Sequence, residues 1–137
     1  LSSAASDVYK RQLIKSDMFS SSECEQYKNE DNRFDVIVSN PPYIPTKDID
    51  ELSEEVRLHD PMLALDGDTD GLKFYKAITK QSVNYLKENG YLCYEIGYNQ
   101  AEDVRNIMEQ CGYSGIKVIK DLAGLDRVVI GRLNNIN

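Results

Sequence analysis

Asn40-Pro41-Pro42-Tyr43 is the stretch of this 137-residue chain best suited to chemistry. The Asn40 side-chain oxygen and the Pro41 carbonyl are two hydrogen-bond acceptors, and the prolines stiffen the loop while removing backbone donors that would compete for them. Such a pair suits an NH2 group whose lone pair is delocalised, as in an amide or an aromatic amine. That nitrogen is a poor nucleophile, and holding its protons on acceptors favours a pyramidal form whose lone pair points at a methyl donor. The Tyr43 ring would cover the planar group and exclude water. This is catalysis by orientation, which needs neither a metal nor a covalent intermediate. The competing reading is a plain strand-ending turn, because proline cannot continue a ladder and asparagine is common in turns.

Other chemistries find too few parts. His59 is the sole histidine, so neither a zinc centre nor a histidine-based nucleophile relay can be assembled, and it reads as a solvated loop residue. Cys24, Cys93 and Cys111 are odd in number and widely spaced, which fits reduced thiols used as small apolar residues. A net charge of −7 supplies no broad cationic face for a nucleic-acid backbone. Apolar residues make up 41%, enough for one domain with its own core. No apolar run is long enough to span a bilayer and no leader pattern opens the chain, so a cytoplasmic protein is expected.

The elements that must position the motif follow from periodicity. A short strand is expected at 13–15, ending in Ser16-Asp17-Met18-Phe19. The Val36-Ile37-Val38 run predicts a strand over 34–39 buried on both faces, as in a parallel sheet, with the motif at its carboxyl end, where open α/β sheets gather ligands. A short acidic helix over 48–58 and a loop over 59–71 come next. Leu72, Tyr75, Ile78, Ser82 and Leu86 share one helix face, ended by Asn89-Gly90. A second central strand over 91–96 leads to a helix capped by Asn99, with Val104, Ile107, Met108 and Cys111 as its stripe, ending at Gly112. Strands over 116–120 and 127–132 are joined too tightly for a helical crossover, so the last should run antiparallel. Arg127 would form a surface pair with Asp121 or Asp126.

Asn40-Pro41-Pro42-Tyr43 after an apolar strand resembles motif IV of the amino-group methyltransferases, which act on adenine N6 in nucleic acids or on glutamine N5 in proteins. The flanks choose between them. Phe34 to Pro45, then Asp60-Pro61-Met62-Leu63-Ala64-Leu65-Asp66-Gly67, Asp70-Gly71-Leu72 with Tyr75, and Glu95-Ile96-Gly97 with Gln100 together resemble the HemK/PrmC glutamine methyltransferases. Asp121-Leu122-Ala123-Gly124-Leu125-Asp126-Arg127-Val128-Val129 is similar to the release-factor branch. The resemblance implies a partial class I, Rossmann-like α/β fold, mostly parallel with an antiparallel last strand. It implies S-adenosyl-L-methionine as cofactor and, as partner and substrate, the glutamine of the Gly-Gly-Gln loop of a class-1 peptide chain release factor. Asn40, Pro41, Pro42 and Tyr43 would bind that glutamine, Asn40 and Pro41 as the catalytic acceptors. Asp17 would accept from the adenine amino group, Met18 would lie against the adenine ring, and Asn40 would border the cofactor.

Departures from the family pattern sit at Asp60, where it has glutamate, and at Asp68, where it has a second glycine, so the 59–71 loop is expected to differ in shape. No Gly-rich strand–helix turn and no ribose-binding acidic residue precede Leu13. The expected organisation is therefore a non-native or disordered segment at 1–12, the C-terminal part of a methyltransferase catalytic domain at 13–133 and a tail at 134–137. Alone, it is expected to be inactive and to bind the cofactor weakly or not at all. An adenine-N6 nucleic-acid methyltransferase and a non-catalytic fragment that only binds a partner are the alternatives.

Overall fold

The computed structural model describes residues 11–52 and 65–134. The β-branched run forms strand β1 (Phe34–Ser39), which stops short of Pro41 and Pro42, residues that cannot both continue a ladder. Helix α1 (Lys73–Ser82) leads into β2 (Leu86–Glu95), helix α2 (Ala101–Gln110) into β3 (Tyr113–Lys120), and β4 (Asp126–Leu133) follows. The sheet order is β1-β2-β4-β3. β1 and β2 run parallel, while β4 is antiparallel to both its neighbours, as the tight last connection predicts. In that turn the Asp121 N–H donates to the Leu125 carbonyl at 2.8 Å, and the Asp121 carboxylate accepts from the Ala123 and Leu125 N–H groups.

The two helices bury their apolar stripes against one face of the sheet. Tyr75 and Ile78 of α1 and Val104 and Met108 of α2 pack on Leu92, Tyr94, Ile96 and Val129, and the alternation along β2 is the period of two that a one-faced strand requires. Hydroxyls inside this layer are paired: Tyr75 donates to the Glu95 carbonyl at 2.7 Å, Thr79 bonds Tyr94 at 2.7 Å, and Ser82 bonds Tyr113. Burial pushes the Tyr113 phenol up to about 12, against the Ser82 bond that lowers it. No helix among the described residues is long and apolar enough to cross a membrane.

Five expectations are corrected. Residues 13–15 form no strand and pair with none among the described residues. β1 is not buried on both faces. Among the described residues it lies at the sheet edge, beside β2, and Val36 and Val38 are 49% and 76% exposed on the face that also carries Tyr91 and Ile119. Helix α1 ends at Ser82, not at Asn89-Gly90; Leu86 starts β2, and Asn89, at φ 67°, lies with Gly90 where the register jumps from Phe34↔Leu86 to Val36↔Tyr91. A Cβ on Gly90 would lie 2.9 Å from the Lys87 carbonyl, so this bulge requires glycine. Helix α2 is entered through Gln100 rather than capped by Asn99. The acidic segment is a 3-10 helix, Thr46–Glu51; the remainder of the 48–58 expectation, with His59 and Asp60, lies outside the described residues.

Candidate active site

At the carboxyl end of β1 the chain turns into Asn40, which is exposed, and Pro41, which is buried. Among the described residues neither the Asn40 side-chain amide nor the Pro41 carbonyl has a hydrogen-bond partner, so neither acceptor is engaged. The chain beyond them is held by a short parallel bridge, Ile44 with Asp66. Ile44 N–H donates to the Leu65 carbonyl at 3.0 Å and Gly67 N–H to the Ile44 carbonyl at 2.7 Å, while Thr46 N–H reaches the Asp68 carbonyl at 3.0 Å. Side chains reinforce the bridge, for the Asp66 carboxylate accepts from the Thr46 hydroxyl at 2.6 Å and from the Asp68 N–H at 2.9 Å. Position 68, where the family pattern has glycine, takes φ 68°, a left-handed conformation that aspartate tolerates better than most residues.

Tyr43 is clasped from three sides. Its carbonyl accepts from Gln100 Nε2 at 2.8 Å, and a Cβ at Gly67 would come within 2.8 Å of its carbonyl carbon. A Cβ at Gly71, where φ is +75°, would be driven into its carbonyl oxygen. Arg127 is more than a surface pair: Nη1 donates to the Ile96 carbonyl at 3.1 Å, and Nε and Nη2 each reach Asp121 Oδ2 at 3.4 Å. Burial disfavours the charged guanidinium, but the Tyr43 phenol and the Asp121 carboxylate more than offset it and hold the Arg127 pKa above its ordinary value. Asp126 pairs instead with Lys120 at 2.9 Å.

Among the described residues no hydrogen bond links the two residues expected at the adenine end to this loop. Asp17 is exposed, and its carbonyl accepts from Ser20 N–H at 3.0 Å, closing a turn. The Ser21 hydroxyl, not Asp17, caps the 3-10 helix that follows. Met18 is half-buried against the core at φ 51°, a left-handed backbone that is strained for a long side chain. Phe19 beside it stacks on Tyr85 with ring centroids 4.4 Å apart. Gln100 and Arg127 are the site-holding residues that were not read from sequence as such. Gln100 was visible as part of a motif, but its three bonds were not.

A family model described as Eco57I restriction-modification methylase matches residues 4–108. The chain belongs to this methylase family. Curated relatives include release factor glutamine methyltransferases of Geobacter sulfurreducens, 48% identical over 103 residues covering 75% of this chain and 36% of that one, and of Agrobacterium fabrum, 49% identical over 100 residues covering 73% and 35%. The glutamine-methyltransferase branch read from the flanking motifs is therefore the one these members represent. The chain spans about a third of the length of the curated relatives it matches. Among solved structures, a protein-(glutamine-N5) methyltransferase (release factor-specific) of Alicyclobacillus acidocaldarius superposes with TM-score 0.50 at 25% identity, covering 80% of this chain and 55% of that one. A Pyrococcus furiosus methyltransferase shares the fold at TM-score 0.50 and 18% identity, covering 75% and 42%.

The methylase loop carries its own pH signature. Hydrogen bonds from the Thr46 hydroxyl and Asp68 N–H lower the Asp66 pKa, and those from Leu72 N–H and Lys76 lower that of Asp70. A carboxylate depressed on folding stabilises the folded loop fully above its unfolded pKa of about 3.9 and loses that contribution as pH falls through the lower folded value. Protection of the Ile44, Thr46 and Gly67 amides is thus expected to be constant above about pH 5 and to fall below about pH 4. An amide-exchange titration checks this, and protection that stays flat to the acid limit of folding would contradict it.

Proposed function

We propose that this chain is the C-terminal part of the catalytic domain of an enzyme that transfers a methyl group from S-adenosyl-L-methionine to the N5 amide nitrogen of the glutamine in the Gly-Gly-Gln loop of a class-1 peptide chain release factor. The observation that carries the reading is the unengaged acceptor pair of Asn40 and Pro41 on a clasped loop, in a chain 43–49% identical to proteins named release factor glutamine methyltransferase. Asn40 Oδ1 and the Pro41 carbonyl would each accept one proton of the glutamine NH2, turning its nitrogen lone pair toward the donor. Tyr43 would cover the amide plane and keep water out. The cofactor, when bound, supplies an electrophilic methyl group; at its adenine end the exposed Asp17 carboxylate would accept from the amino group, and the half-buried Met18 beside it would lie against the ring. The activity would belong to a longer protein, in a cytoplasmic setting.

A nucleic-acid reading draws support from the description of the family model, yet an acidic chain of net charge −7 lacks the cationic face such substrates attract. The test incubates the full-length protein with S-adenosyl-L-methionine and either a release-factor domain or nucleic acid, followed by mass spectrometry. Methyl on the Gly-Gly-Gln glutamine is expected. Methyl on adenine, or on neither substrate, would overturn the proposal.

A further inference from the structure

Gln100 is 6% exposed and joins three separate segments. Its Oε1 accepts from the Gly97 N–H at 2.9 Å, and its Nε2 donates to the Tyr43 carbonyl at 2.8 Å and to the Gly71 carbonyl at 3.2 Å. Both amide protons and the amide oxygen are thus used. Its backbone is fixed independently, since Gln100 N–H donates to the Gly97 carbonyl at 3.0 Å and its own carbonyl accepts from Val104 N–H at 2.9 Å, the first turn of α2. The slot that admits the side chain is walled by glycines. A Cβ on Gly97 would lie 3.0 Å from Gln100 Oε1, and one on Gly71 would lie 2.9 Å from Nε2.

We propose that Gln100 is a positioning residue that sets the Asn40–Tyr43 loop over the carboxyl end of the sheet, acting through the Tyr43 carbonyl; this rests on the methyltransferase reading above. Helix α2 and the end of β2 pack into the core, whereas the loop after β1 is tied among the described residues by the isolated Ile44–Asp66 bridge and not by a continuous ladder. A primary amide is the group that meets the geometry: one acceptor faces an N–H and two donors face two carbonyls. Glutamate would keep the bond from Gly97 but set an anion against both carbonyls. Methionine would fill the slot and leave all three backbone groups without a partner.

Gln100→Glu and Gln100→Met test this in two arms. In this chain, amide exchange at Ile44, Gly67 and Gly97 is expected to accelerate at least about tenfold in both variants, with the central amides of β2 and β4 within about twofold of the parent. In the full-length protein, kcat on the release-factor domain is expected to fall about tenfold or more, with KM and cofactor affinity within a few-fold. Unchanged exchange at the loop amides, equal acceleration throughout the sheet, or an unchanged kcat would overturn the proposal. A parent protein that methylates no release factor would sink the functional reading instead, and the exchange arm would still decide whether Gln100 sets the loop.

Discussion

Asn40→Ala in the full-length protein is expected to slow methyl transfer to a release-factor domain at least about a hundredfold while leaving cofactor affinity within a few-fold. Asn40 is exposed at the end of β1 with its acceptor unpartnered, so truncation breaks no bond of the fold among the described residues, and stability should change little. The lost contact matters most when the target nitrogen pyramidalises, which places the penalty on the transition state rather than on binding. Removing one oriented polar group of this kind costs on the order of 3 kcal/mol, and a glutamine free to turn adds to it. Asn40→Asp separates shape from charge, because it keeps an acceptor but sets an anion beside a cationic donor. Single-turnover rates on a domain carrying the Gly-Gly-Gln loop decide; a near-parental rate for Asn40→Ala would reduce the motif to a strand-ending turn.

Gly71→Ala should damage the same site from behind, through the fold. Two effects add. At φ +75° an L side chain costs about 1–2 kcal/mol, and the new Cβ is pressed into the Tyr43 carbonyl oxygen, a backbone atom that cannot swing aside. The loop must shift, breaking the Gln100 bonds to both Tyr43 and Gly71. Gly124→Ala is the matched control, since φ is +82° there and nothing lies within 4 Å of the added carbon. Chemical denaturation is expected to place Gly71→Ala at least about 2 kcal/mol below Gly124→Ala, with methyl transfer lost only in the former. Equal stabilities would mean that the approach of Tyr43 to Gly71 is not a rigid feature.

The sequence was legible where a local signal has one structural meaning. Val36-Ile37-Val38 closed by prolines gave the span of β1, and the short 121–126 link gave the antiparallel last strand. The environment of β1 was misread because a β-branched apolar run looks alike at the centre of a sheet and at its edge; neighbours decide burial, and they are not in the run. Asn89-Gly90 misled for a related reason. Both a helix end and a strand bulge need a left-handed residue, and Leu86 happens to continue the stripe of α1 by one helical turn. The Asn40–Tyr43 motif could be singled out because it sits in four consecutive residues. Gln100 and Arg127 were not readable in the same way, since each works on backbone groups brought from distant segments: Tyr43 and Gly71 for one, Ile96 for the other.

The strand order has a consequence for how the protein comes together. β3 and β4 are joined by residues 121–125 alone, and α2 packs on both, so this end of the sheet closes on short loops. The pairing of β1 with β2 must instead enclose residues 40–85, and loop-closure entropy makes such a long parallel contact slow to form. The strand that carries Asn40 is therefore expected to join last, onto a frame that already presents Gly97 and Gln100. Errors of synthesis or mutation in the late-joining edge would leave a folded C-terminal half without a site, a failure that measurements of secondary structure alone would pass over.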